Sequence, residues 1–168
     1  MRIFLLGFMG AGKSYWGKQL ASHWNLPYFD LDDVIVEREG MAVAEIFAEK
    51  GETYFREQEG RILRELALDN DTFLIACGGG TPCFSDTMDF MNQHGITIWL
   101  NPSVPVMVER LQRKQAKRPL IQDLSAEELT AFTEKKLAER QPFYEQSQVI
   151  ISDDAISLET FDKLVRHA

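Results

Sequence analysis

The segment Gly7-Phe8-Met9-Gly10-Ala11-Gly12-Lys13-Ser14 carries glycines, a lysine and a hydroxyl at the eight-position spacing of a phosphate-binding loop. Glycines in such a loop let backbone N–H groups curl around a phosphate, and the N-terminus of a following helix adds its dipole. Lys13 then reaches the terminal phosphates, and the Ser14 hydroxyl can ligate magnesium. A glycine-rich turn followed by a chance Lys-Ser is the plain alternative. The context argues against it, because an apolar run, Ile3 to Leu6, precedes the loop and an amphipathic helical pattern begins near Lys13.

Three further groups have the chemistry to complete a site. Asp30, Asp32 and Asp33 follow a short apolar run at Pro27 to Phe29, so they lie at the carboxyl end of a strand, where ligands of open α/β sheets collect. Alternation along an extended segment points Asp30 and Asp32 to one side, one for a magnesium shell and one for an acceptor hydroxyl. Asp33 reads as an acid decorating a helix N-terminus. Gly78-Gly79-Gly80 ends the run Phe73 to Ala76 and puts bare backbone at the same edge, or simply makes a turn. Arg56 and Glu59, three apart on one helical face, form either an intrahelical ion pair or a carboxylate grip oriented by Glu59.

The elements that must position these residues alternate along the chain. Uninterrupted apolar runs at 3–6, 27–29, 73–76, 96–100 and 149–151 suit strands buried on both faces. Between them lie helical patterns, such as 103–114 with Val104, Val108 and Leu111, and 125–140 opened by the capping box Ser125-Ala-Glu-Glu128. This alternation predicts an α/β fold with a parallel sheet flanked by helices. No repeat or Pro/Gly/Ser linker marks a second domain, so 1–168 reads as one domain. Arg110, Arg113, Lys114, Lys117 and Arg118 crowd a stretch without acids that stops at Pro119, which predicts a helix running into a flexible loop over 110–123.

Composition bounds the partners. Eighteen Lys+Arg against twenty-six Asp+Glu give a net charge of -8, which repels a nucleic-acid backbone unless the cations gather in one place. Cys77 and Cys83 match no zinc or redox spacing and suit a reducing compartment. No stretch has the length of a membrane span or the form of a signal peptide, so the expectation is a cytoplasmic protein without membrane or nucleic-acid partners. His23, His94 and His167 read as surface or helix-end residues, and Trp16, Trp24 and Trp99 as packing residues.

In order behind the phosphate loop come Phe29-Asp-Leu-Asp32, Ile46-Phe47, Phe55-Arg56-x-x-Glu59, Gly78-Gly-Gly80, Arg118-Pro-Leu120 and Arg140-x-Pro-x-Tyr144. Together these motifs resemble the shikimate kinase family over residues 3 to about 144. The resemblance implies a P-loop kinase fold of five parallel strands with a mobile lid at about 112–123 and a substrate-binding region at about 32–60. It implies ATP and Mg2+ as cofactors, shikimate as the small-molecule partner, and transfer of the γ-phosphoryl group to the 3-hydroxyl of shikimate; a monomer is the separate expectation for the chain. By position, Lys13, Asp32 and Arg118 are similar to the catalytic groups, with Asp30 and Ser14 near magnesium. Gly10, Ala11, Gly12, Lys13, Ser14, Tyr15, Arg110 and Arg118 fall to the nucleotide. Asp32, Phe47, Phe55, Arg56, Glu59, Gly78, Gly79, Gly80 and Arg140 fall to shikimate, with Arg56 and Arg140 on its carboxylate. Cys77 stands where many relatives carry threonine. The competing readings are another small-molecule P-loop kinase, for gluconate or a nucleoside monophosphate, which gives no reason for Arg56, the glycine triplet and Arg140 together, and a nucleotide-dependent switch or silent binding module, where retention of Lys13, Asp32 and Arg118 argues against silence.

Overall fold

A run such as Ile3-Phe4-Leu5-Leu6 can be continuously apolar only if both faces of its strand are covered. In the computed structural model, which describes residues 1–166, the first strand, β1 (Arg2–Leu6), has this environment. Ile3 and Leu5 enter one core cluster, and Phe4 and Leu6 enter a second on the opposite face. The other strands are β2 (Tyr28–Asp30), β3 (Phe73–Ala76), β4 (Ile96–Leu100) and β5 (Val149–Ile151). All neighbours pair in parallel, in the order β2-β3-β1-β4-β5.

The helices are α1 (Lys13–His23), α2 (Leu31–Glu39), α3 (Val43–Asp69), α4 (Thr87–His94), α5 (Val104–Arg113), α6 (Ala126–Tyr144) and α7 (Leu158–Val165). Helix α3 breaks at Gly51, whose φ of 83° and ψ of 168° lie outside the helical region. The capping box at Ser125 and Glu128 opens α6 as the sequence predicts, but the helix continues past Pro142 to Tyr144. Tyr144 is fully buried there, and that packing outweighs the backbone donor missing at Pro142.

Two expectations need correcting. Strand β2 is displaced by one residue, since Asp30 pairs with Ala76 in the sheet and also caps α2. Asp32 is therefore not in an extended segment; it lies in the first turn of α2, and strand alternation does not explain its direction. After α5 the chain enters the segment expected as a flexible loop. It makes a short 3-10 turn at Gln115–Lys117, and Ile121 is anchored in the core. The Gln115 amide donates to the carbonyls of Ile121 (2.7 Å) and Leu124 (2.6 Å), tying the segment's two ends.

From central β1 the chain crosses to β2 on one side, and after β3 it passes to β4 on the other. The crevice at the carboxyl ends of β1 and β3 is thus the switch point where an open sheet binds ligands. Residues 7–14 leave β1 there, and the three glycines leave β3 there.

Candidate active site

Helix α1 begins after Gly12 (φ 99°), with no side-chain cap and no acid in its first turn. Its N-terminal N–H groups and dipole are therefore left to an anion. The Lys13 ammonium folds over the loop, donating to the carbonyls of Gly7 (2.6 Å) and Phe8 (3.0 Å). Arg110, from α5, donates to Gly10 O (3.3 Å) and Ala11 O (3.1 Å), so the last turns of α5 clamp the loop from outside. The Ala11 side chain itself is buried in the core.

Asp30 links two elements. Its Oδ1 accepts from the Asp32 backbone N–H at 3.2 Å, and its Oδ2 accepts from the Ser14 hydroxyl at 2.9 Å. A hydroxyl and a carboxylate held together beside a phosphate loop fit the ligand set of Mg2+, which takes one or two protein oxygens and fills its shell with phosphate oxygens and water. Among the described residues no group of three or more His, Cys, Asp or Glu gathers as a dedicated metal cage.

Burial pushes the Asp32 carboxyl up to about 6, helped by the nearby Glu59 and Asp30 and opposed by Lys13 and Arg56. The same burial lowers Lys13 to about 8, against the pull of Asp32. Arg118 is half-buried and also shifted down by desolvation, with Asp32 opposing. Lys13, Asp32 and Arg118 thus feel one another across the cleft, although they come from α1, α2 and the segment after α5. An ionised carboxylate with its proton affinity near neutrality suits a general base between two cations.

In the same cleft, the Arg56 guanidinium lies 5.2 Å from the Phe55 ring centroid, 6.0 Å from Phe47 and 4.5 Å from Phe84. Its Nη1 donates to Glu59 Oε1 at 2.7 Å, so the ion pair and the cleft-facing position are both realised. The glycines explain how two arginines come this close to backbone. A Cβ at Gly79 would stand 2.9 Å from Arg140 Nη1, and one at Gly80 would stand 2.8 Å from Arg56 Cζ. Arg140, in α6, lies with its guanidinium 5.4 Å over the Phe8 ring, and Tyr144 one turn later donates to Gly79 O at 2.5 Å. Cys77 lines the cleft beside these groups: its Sγ lies 3.8 Å from Met91 Sδ, and burial pushes its thiol well up.

The expected residues, apart from Ala11, all line one cleft of ≈ 680 Å3. Seven of the chain's lysines and arginines line it against four carboxylates, which gathers positive charge in an acidic protein. Asp33 is exposed in the first turn of α2, as expected of a helix-end acid. His23 and His94 lie in the last turns of α1 and α4, whereas His167 lies outside the described residues. Trp24 donates to Asp162 at 2.7 Å and Trp99 is buried, but Trp16 both packs on Phe161 and lines the cleft.

Sequence reasoning missed Thr81 and Phe84 behind Arg56, and Asp154, Ala155 and Ile156 in the lining of the cleft. Asp154 accepts from both the N–H and the hydroxyl of Ser103 at 2.7 Å, which fastens the loop after β5 to the start of α5. No local pattern marks these contacts, since the partners are distant along the chain.

A family model described as shikimate kinase matches residues 9–168. A shikimate kinase of Bacteroides thetaiotaomicron is 44% identical over 156 residues, covering 93% of this chain and 89% of the relative. One of Parabacteroides distasonis is 43% identical over 159 residues, covering 95% and 91%. Among solved structures, the crystal structure of shikimate kinase from Bacteroides thetaiotaomicron superposes with a TM-score of 0.90 at 41% identity, covering 99% of this chain and 95% of that one. The Acinetobacter baumannii shikimate kinase in complex with shikimate gives 0.85 at 29% identity, covering 99% and 90%.

Proposed function

The chain belongs to the shikimate kinase family, its reaction is the ATP-dependent phosphorylation of shikimate in aromatic amino-acid biosynthesis, and on that premise we propose how its own residues perform the transfer. Lys13 and the N-terminal N–H groups of α1 hold the β- and γ-phosphates of ATP, with Arg110 and Tyr15 on the nucleotide side. Ser14 and Asp30 would hold Mg2+, which when bound neutralises charge on the phosphates. Arg56 and Arg140 grip the shikimate carboxylate beside Gly78, Gly79 and Gly80, while Phe47 and Phe55 wall the pocket. Asp32 accepts the proton of the 3-hydroxyl as its oxygen attacks the γ-phosphorus. The bond from that phosphorus to the β-γ bridging oxygen breaks, leaving ADP and shikimate 3-phosphate. Lys13 and Arg118 balance the charge spread over the phosphoryl oxygens in flight.

The single observation that carries this reading is the convergence of Lys13, Asp32 and Arg118 in one cleft that also holds Arg56 and Arg140 against bare glycine backbone. The segment 112–123 acts as a lid and 32–60 as the substrate-binding part of a single domain, working as a cytoplasmic monomer without nucleic-acid or membrane partners. Two free cysteines suit that compartment, and among the described residues no helix is long and apolar enough to cross a membrane. The test is ADP release measured over a panel of hydroxylated acids and nucleoside monophosphates, alongside light scattering of the full chain. Shikimate-dependent release is expected; release that ignores the acceptor, or a preference for gluconate or a nucleotide, overturns the assignment.

A further inference from the structure

We propose that Thr81 is a positioning residue for substrate binding, its hydroxyl fixing Glu59 so that Glu59 can fix Arg56. The inference rests on the reading of Arg56 as a group that binds the substrate carboxylate.

Thr81 is 1% exposed and Glu59 is 2% exposed, so neither can turn to water for a partner. The Glu59 carboxylate divides its two oxygens: Oε1 accepts from Arg56 Nη1 at 2.7 Å, and Oε2 accepts from the Thr81 hydroxyl at 2.8 Å. The terminal torsion of a glutamate is intrinsically broad, so one partner alone would leave the carboxylate free to rotate. A second partner on the other oxygen removes that freedom. The guanidinium depends on it, because Arg56 Nε is buried without a hydrogen-bond partner among the described residues and Glu52 Oε1 lies 3.7 Å away.

Thr81 is also built into the strip of backbone that Arg56 faces. Its N–H donates to Gly78 O at 3.1 Å, closing the turn that carries Gly79 and Gly80. A Cβ at Gly78 would stand 3.1 Å from each of three oxygens: Asp32 Oδ1, Glu59 Oε2 and Thr81 Oγ1. One hydroxyl therefore links the glycine strip from β3 to the arginine carried by α3. A buried threonine in such a turn can also serve packing alone, and the two roles separate in kinetics.

The experiment compares the full-length parent with Thr81→Val, Thr81→Ala, Thr81→Ser and Arg56→Ala, recording KM for shikimate and for ATP separately. Thr81→Val keeps the shape and deletes the donor. Losing a hydrogen bond to a buried charge is expected to raise the shikimate KM by about tenfold while the ATP KM stays within about twofold. Thr81→Ser should restore the shikimate KM. An Arg56→Ala enzyme with unchanged shikimate KM would overturn the carboxylate reading itself. If Arg56→Ala raises it and the donor-free Thr81 variants do not, the Thr81 proposal alone falls. Parallel rises in both KM values, a Thr81→Ser enzyme that stays impaired, or donor-free variants that do not fold would make the contact structural and equally overturn it.

Discussion

A carboxylate in water titrates far below neutrality, and the work assigned to Asp32 depends on the cleft having changed that. With burial lifting it to about 6, kcat/KM for shikimate is expected to fall on the acid side with an apparent pKa near that value. Asp32→Asn should lower the rate by about 10²–10⁴, as for a lost general base. A loss confined to KM would make Asp32 a binding residue instead. The shift also has a consequence for stability. A group whose folded pKa is raised stabilises the fold fully below its unfolded value, here 3.8, and that contribution is lost as pH rises through about 6. The melting temperature of Asp32→Asn relative to the parent should therefore climb between pH 4 and 7, and a flat difference across that window contradicts the burial argument. Lys13 shows the converse: lowered from 10.5 to about 8, its contribution is present above the unfolded value and lost as pH falls through the folded one. The ionised forms that catalysis needs are held at the expense of the fold.

At the scale of elements, the segment after α5 carries the clearest expectation. It is pinned by Ile121 and by the Gln115 amide, and Arg118 lies between those anchors and the cleft. Arg118→Ala should lower kcat more than it weakens shikimate binding, because the partner proposed for it is the phosphoryl group in transfer. Hydrogen exchange across 112–123 should slow when both ligands are bound; identical exchange in free and doubly liganded enzyme contradicts a lid. Much of this architecture was legible in the sequence. The runs that became β1 and β3 are continuous because their faces are covered by two cores, and the phosphate loop and the Ser125 capping box are local devices. Asp32 was placed at the correct sheet edge by the wrong local reasoning, since a run of three apolar-to-acidic residues does not distinguish a strand end from a helix start. The extension of α6 through Pro142 and the partners Thr81, Phe84 and Asp154 were not legible, because tertiary contacts to distant residues decide them.

At the scale of the molecule, a chain of net charge -8 directs seven cations into a single cleft. Its low-dielectric walls should focus that charge on anionic ligands. Rising ionic strength is accordingly expected to lower kcat/KM for shikimate more than kcat, whereas a salt-independent kcat/KM would leave the cationic cleft without a role in capture. The claim that joins residue, element and molecule is that Arg56 and Arg140 read a carboxylate across the glycine strip. The most direct measurement compares shikimate with its methyl ester as acceptors for the unmodified enzyme. The ester keeps the ring and all three hydroxyls but removes the charge, leaving two guanidinium groups without their partner. Charge-assisted hydrogen bonds contribute about 1.5–3 kcal/mol each, so kcat/KM should fall at least about tenfold. Equal use of acid and ester would contradict the account, because the cleft would then read no carboxylate.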